Sequence, residues 1–409
     1  MKESPNRAVE QGCHVTHQPE SQFHNPYPNM KCSIKCSTSI SKWVFQSIHS
    51  AAFIAGLAFA PPAFSGFDPN CDGRVFAIVI QEDGRILIGG EFNTVGGSAR
   101  HGIARLHTDG SVDQTFITQT DGPVLALEVQ PDGRVLVGGS FNSVNGTPRS
   151  NLVRLLADGS LDESFMARAA GVVLELALLP DQRVIAGGAF LDWGGIPRAG
   201  IVRLHQNGRL DRAFDAGADD TVNSLAIQPG GRILVGGDFT VLRGGSRVGI
   251  GRLNANGRVD KTFLPPAVPE EMETLALQAD GKVLLGGDFE RVGNQPRAGI
   301  ARLNADGSLD NAFNPGVDGF GLHTLLVQPD GKILVGGFLT VIGGLQVANI
   351  ARLNADGRAD ADFNPGADSA VNRFALQKDG KILVGGWFTS LAGQPRNYIG
   401  RLFPDGSLD

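Results

Sequence analysis

Residues 272–289 read METLALQADGKVLLGGDF. Two apolar runs, Met272 to Leu277 and Val283 to Leu285, flank Asp280-Gly281, and a glycine pair, Gly286-Gly287, ends the second run. Asp-Gly between apolar runs signals a hairpin, because both turn residues accept positive φ at small cost. A glycine-containing loop, Arg291 to Gly299, leads to a third run at Ile300-Ala301-Arg302-Leu303. A second turn, Asp306-Gly307, introduces a fourth segment from Ser308 to Phe313. Four short strands whose connections all suit antiparallel neighbours are the content of one propeller blade.

The same unit is written seven times between Phe67 and Asp409. Its glycine pair begins at Gly89, Gly138, Gly187, Gly236, Gly286, Gly336 and Gly385, at spacings of 49, 49, 49, 50, 50 and 49 residues. No copy holds a helical pattern of apolar positions, and the glycine pair would interrupt one. A β-solenoid coil is shorter and needs no pair of Asp-Gly hairpins. The expectation is an all-β fold: a seven-bladed β-propeller of four-stranded antiparallel blades with a 49–50-residue period. The ends of the body agree. Fourth segments run on to a phenylalanine, as in Leu161-Asp162 with Phe165, but the last copy stops at Leu408-Asp409 and the body opens on Phe67. Phe67 docking beside Asp409 would close the ring and hide its sheet edges.

The phrase Gln328 to Gly337 (QPDGKILVGG), followed by Ile350 to Gly357 (IARLNADG), resembles the delta-60 repeat family, and the resemblance covers residues 67–409. It implies a β-propeller of the kind found mostly in exported bacterial proteins, with no established reaction.

Composition bounds the partners. The chain of 409 residues carries a net charge of −6, and residues after 65 hold 31 basic against 39 acidic side chains. Such an acidic body argues against nucleic acid. Residues 1–29 read as an upstream extension, either a disordered tail or a stretch ahead of the true start at Met30. Residues 30–65 have the layout of a secretory signal peptide: Lys31, Lys35 and Lys42, the apolar stretch Ala51 to Ala60, then small residues to a cleavage point near Ser65. Residues 66–409 form the propeller, placed outside the cytoplasm as a secreted or cell-envelope protein with no transmembrane segment in the mature chain. Cys13, His14, His17, Cys32 and Cys36 fit no zinc spacing, so neither metal nor cofactor is indicated. Cys71 stands alone in the body, which leaves stability to packing and ring closure, in a monomeric ring.

What recurs seven times reads as scaffold. Each third strand holds an arginine and each fourth an aspartate eight residues on, as Arg302 and Asp310, the spacing of a planar Arg-carboxylate pair that would engage both carboxylate oxygens. A loop arginine recurs at Arg100, Arg149, Arg198, Arg247, Arg297 and Arg396. It reads either as a pairing partner for the aspartates ahead of the inner strands, such as Asp72 and Asp368, or as a positive ring for an anionic ligand. Where the repeat varies, function is to be sought. Near the start of the inner strands stand Glu175, Asn223, Glu273, His323, Asn372 and Arg373, a one-sided polar set expected at one mouth of the channel. Trp387, Trp193 and Tyr398 are candidates for an aromatic platform. No phosphate loop, metalloprotease motif, nucleophile elbow or calcium loop is present.

The leading functional reading is therefore a non-catalytic exported binding or scaffold module for a protein or polysaccharide. The alternatives are a hydrolase or lyase built on Glu175, Glu273, His323 and Arg373 at the channel mouth, and a structural cell-envelope component.

Overall fold

In the computed structural model, which describes residues 66–409, each Asp-Gly turn forms a hairpin, but with positive φ at the glycine alone and not, as expected, at both turn residues. In blade 5, Glu271–Leu277 pairs antiparallel with Val283–Asp288, whose other edge pairs with Ile300–Leu303. The turn glycine, Gly281, has φ +83°, and its amide donates to the Gln278 carbonyl. The same order of first, second and third strand recurs in all seven blades. The fourth segment is reduced to one antiparallel bridge per blade, such as Leu303 with Leu309. The loop after the second strand holds structure of its own: a two-residue hairpin, Arg291–Val292 with Gln295–Pro296 in blade 5. In blade 6 this hairpin is continuous with the second strand, Ile333–Ile342, and the first strand lengthens to Val317–Val327.

The first strand of each blade neighbours the first strands on either side, Arg74–Ile80 beside Val371–Leu376 included, so the seven first strands surround a central channel in a closed ring. The glycine pair makes this approach possible. A Cβ on Gly286 would stand 2.6 Å from Leu322 Cδ2 of the next blade, and one on Gly287 would stand 2.2 Å from the Glu271 carbonyl oxygen of its own blade. The first glycine thus admits the neighbouring blade and the second admits a bulged strand. At the seam the ring treats its ends as one more repeat, since a Cβ on Gly385 would meet Val75 Cγ1 at 2.8 Å.

Ring closure occurs as the termini suggest. Phe67 is 1% exposed, its amide donates to the Asp409 carbonyl at 3.2 Å, and Arg401 lies 4.4 Å over its ring. The equivalent in blade 5 is Arg302 over Phe313 at 4.3 Å.

The Arg-Asp pairs form in every blade, with a geometry different from the expected two-oxygen fork. Arg302 Nε donates to one oxygen, Asp310 Oδ2, at 2.9 Å, while Oδ1 accepts the Ala312 amide at 3.1 Å. The remaining arginine arm crosses to the next blade, Nη1 donating to the Ala355 carbonyl at 2.6 Å. Lys282 adds a second cation at 3.0 Å from Asp310 Oδ2. Burial opposes the ionised carboxyl, but hydrogen bonds from Lys282, the Ala312 amide and Arg302 outweigh it and hold Asp310 below its ordinary range. In the last blade, Arg401 Nη1 reaches Thr108 of blade 1 at 2.5 Å, so this staple also spans the seam.

The expected upstream extension and signal peptide, residues 1–65, lie outside the described residues. Among the described residues no helix is long and apolar enough to cross a membrane.

Candidate functional site at the channel mouth

Each first strand carries a β-bulge opposite its glycine pair. In blade 5 the pairing passes from Met272 with Gly287 to Thr274 with Gly286, skipping Glu273. The same shift skips Asn223 in blade 4, His323 in blade 6 and Asn372 in blade 7. A bulged residue is freed from the pleat and its side chain re-aimed. Four of the six candidate positions are thus bulge residues at equivalent sites.

The other two, Glu175 and Arg373, occupy the next position, paired with the first glycine. They meet each other across the ring: Arg373 Nη1 lies 3.4 Å from Glu175 Oε2, joining blade 7 to blade 3. Glu128 of blade 2 is the third member of this group, and the sequence reading missed it. Burial, and then the Glu175 charge, push its carboxyl up to about 7 against the pull of Arg373. Its signal was available, since the same position is Val79, Ala177, Ala226, Ala276, Leu326 or Ala375 in the other blades.

The expected single cluster is therefore two groups. The second surrounds Glu273. His323 Nε2 lies 3.8 Å from Glu273 Oε2, beyond a direct hydrogen bond. Asn223 Nδ2 donates to Asp238 Oδ1 at 3.2 Å and to the Met272 carbonyl at 3.1 Å. Burial raises the Glu273 carboxyl to about 8, assisted by the charges of Glu271, Asp238 and Asp288. Burial also raises Asp238 to about 6, and it lowers His323 to about 4. Glu273 keeps 33% of its side chain accessible, so water reaches it through the channel while surrounding protein and like charges still disfavour its ionised form.

Blades 5 and 6 shape this site. Both contain one extra residue between the phenylalanine of the preceding fourth segment and the first apolar residue of the inner strand, which accounts for the two 50-residue spacings. In blade 6 the insertion yields Gly319-Phe320-Gly321, with Phe320 exposed and Gly321 at φ +122°. A Cβ on Gly321 would stand 3.7–3.8 Å from Asp288, Glu273 and His323, so these side chains bound one small space. An aromatic row continues from it. His323 and Phe338 meet edge to face at 5.6 Å, Phe338 and Trp387 at 5.7 Å, and Arg74 lies 4.3 Å over Trp387. Of the expected aromatic platform only Trp387 is here; Trp193 is buried at 2% exposure against Phe190, and Tyr398 packs in the blade 1 core.

The loop arginines do not gather at this mouth, and their partners differ from both readings. Arg100 donates to Gln114 at 3.0 Å, Arg149 to Glu163, and Arg297 to Asn311 at 3.3 Å, each on the fourth segment of its own blade. Arg198 lies 3.4 Å from Asp215, and Arg247 and Arg396 donate to the carbonyl before them. Arg100, Arg297 and Arg396 are buried. The aspartates proposed as their partners instead accept backbone amides, as Asp72 does from Asn93 and Thr94 at 2.7 and 2.9 Å and Asp368 from Thr389 and Ser390 at 2.8 and 2.9 Å.

The sequence profile of the domain of unknown function DUF5122, a β-propeller, matches residues 81–116, 130–165, 179–214, 228–263, 278–313, 328–363 and 377–409. The chain belongs to the DUF5122 β-propeller family. Each match starts at the first turn of a blade and ends with the fourth segment, leaving the inner strands between matches. All six mouth candidates and Glu128 fall in those gaps. The DUF5122 profile thus describes the scaffold of each blade.

Among solved structures, the WD40 β-propeller domain of Doa1 is similar with a TM-score of 0.53 and 15% identity over 79% of this chain and 93% of that chain. YCF48 bound to D1 peptide gives a TM-score of 0.45 and 11% identity over 81% and 92%, and a virginiamycin B lyase from Staphylococcus aureus gives 0.43 and 15% over 70% and 83%. The likeness to the Doa1 domain, at 15% identity, concerns the fold alone. No curated protein matches the chain in sequence.

Proposed function

We propose that this DUF5122 propeller is an exported, non-catalytic binding module that receives a protein or polysaccharide ligand at the mouth formed by blades 4–6. One observation carries the reading. Asp238, Glu271, Glu273 and Asp288 converge with no Lys or Arg partner among the described residues, whereas the repeated aspartates of the scaffold are matched to a basic residue. Like charges left together in a partly dry recess raise one another's pKa and favour the arrival of a positive group. The ligand moiety that suits this recess is a lysine or arginine side chain of a protein or the ammonium of an amino sugar, with Phe338 and Trp387 beside it for apolar contact.

The test is a titration of the protein with lysine-rich peptides at pH 8.5, where the lysine ammonium is still charged, repeated with Glu273→Gln/Asp238→Asn. Saturable binding weakened about tenfold or more in the variant supports the reading, that being the effect of about 1.4 kcal/mol. Equal binding by both proteins removes the mouth as the site.

A hydrolase or lyase is the second reading, favoured by one feature: a carboxylic acid that stays protonated at neutral pH near a neutral imidazole, the protonation states of an acid-base pair. Turnover of a glycan or ester substrate that is abolished by Glu273→Gln would move the assignment there.

A further inference from the structure

Positive charge on this propeller is unevenly matched. Third-strand arginines and the basic residues after the first turns sit on carboxylates throughout the ring. On the outer edges of blades 3 and 4, by contrast, six exposed cations have no carboxylate partner among the described residues: Arg168, Arg209, Arg212, Arg243, Arg258 and Lys261. They line two grooves in equivalent places on neighbouring blades, between the short hairpin and the fourth segment. The groove on blade 3 measures about 440 Å³ and the one on blade 4 about 1070 Å³.

In blade 4 the charge arises from departures from the repeat. Arg243 stands at φ +47° where four other blades have Gly96, Gly194, Gly293 and Gly343 and the remaining two have the smaller Asn145 and Ala392 at φ +50° and +51°, a left-handed position uncommon for a long side chain. Arg258 occupies a turn position that is Ser111, Ser160, Ser308 or Ser407 in four blades. Lys261 replaces the group that receives the loop arginine elsewhere, namely Gln114, Glu163 or Asn311. Being a cation, it accepts nothing, and Arg247 is left with the neighbouring Ser246 carbonyl at 2.7 Å. Strain, a lost acceptor and like-charge crowding all run against stability. Together they point to an external anion.

We propose that the outer edges of blades 3 and 4 bind an acidic polysaccharide, its carboxylate or sulfate groups held by the arginines. Guanidinium presents a planar fork matched to such oxyanions. A paired row of grooves on successive blades suits a linear chain. Nucleic acid is the less favoured polyanion, because neither groove offers an exposed aromatic ring for a base to stack upon and Trp193 is buried. This surface is separate from the channel mouth, and its success or failure is independent of the ligand bound there.

The test measures binding of the full chain to alginate by calorimetry at 50 and 200 mM salt, with neutral dextran and single-stranded DNA as comparators. The variant Arg243→Gly/Arg258→Ser/Lys261→Gln installs residues that other blades carry at the same positions. Alginate affinity is expected to fall about tenfold or more in the variant and to fall with salt in the wild type, with no loss in thermal midpoint. Arg358→Ser, an exposed arginine at the turn position of blade 6, should bind alginate within about twofold of wild type. Arg258→Ser alone should weaken alginate about threefold, and it reports the same outcome if the triple variant fails to fold. The proposal is overturned if wild type does not bind alginate, if the variants bind as wild type does, if Arg358→Ser weakens binding as much as the triple variant, or if single-stranded DNA binds more tightly than alginate.

Discussion

Phe67 is the residue through which the ring can be opened by one substitution. It is supplied by the beginning of the propeller to complete its last blade, and it is 1% exposed beneath Arg401. Its ring fills the space over Gly110, where a Cβ would stand 2.9 Å from Phe67 Cδ2. Phe67→Ala removes this packing at a cost of about 3–5 kcal/mol, the usual range for a buried phenylalanine truncated to alanine. About 0.5–2 kcal/mol of that is attraction between the guanidinium and the ring. Phe214→Ala makes the same local loss inside the ring, where Arg203 lies 4.6 Å over the phenylalanine and the chain continues on both sides. Both variants should lose similar stability in urea unfolding. Only Phe67→Ala should also raise amide exchange on both sides of the seam, at Asp409 and along Arg74–Ile80, because the remaining main-chain tie there is the Phe67 amide to the Asp409 carbonyl. A loss below about 1 kcal/mol with unchanged exchange at the seam would refute closure by this contact.

The glycine pair gives a second expectation: Gly287→Ala should lower the urea midpoint more than Gly286→Ala, since the added methyl meets a backbone carbonyl in the first case and the movable end of Leu322 in the second. Equal effects would contradict the bulge account. Stability should also depend on pH through Glu273. Its folded pKa of about 8 exceeds the ordinary 4.5, so stability present below 4.5 declines as pH rises toward 8, and Glu273→Gln should flatten that decline in thermal scans. His323 acts in the opposite sense, its folded pKa of about 4 lying below 6.5, so its contribution is present above 6.5 and lost as pH falls toward 4. A wild-type and Glu273→Gln pair with parallel profiles between pH 5 and 9 would show that the carboxyl is solvated. Across the channel, Arg373→Met should move the Glu128 titration above about 7, because Arg373 opposes that rise; carboxyl ¹³C shifts read it directly, and an unmoved titration would mean that the two do not share a field.

The fold was legible in residues 272–289 because turn chemistry and strand pattern agree there, and the missing last phenylalanine was legible because sevenfold repetition makes an omission visible. The two-residue hairpins were hidden by their length: Arg291–Val292 and Gln295–Pro296 are too short for any periodicity to register. The site was half legible. Variation at the inner strands identified Glu273 and His323, but bulging decides which of two adjacent positions is re-aimed, and that depends on register against Gly286 and Gly287. Glu175 and Arg373 were therefore grouped with residues they do not join. Glu128 was overlooked although it is a lone carboxylate among alanines, valine and leucine at its position. The loop arginines were misassigned because their fourth-segment acceptors, Gln114, Glu163 and Asn311, differ in residue type from blade to blade and leave no repeated charge to read.

Ligand capture at the Glu273 mouth is decided most directly by one comparison: calorimetric titration of wild type and Glu273→Gln/Asp238→Asn with a lysine-rich peptide, which stays cationic at both values, at pH 5 and pH 8.5. Because Asp238 ionises near 6 and Glu273 near 8, wild-type affinity for the cationic ligand should rise from the lower pH to the higher, and the variant should lose that rise. An affinity indifferent to pH and unchanged in the variant would contradict a binding site at this mouth.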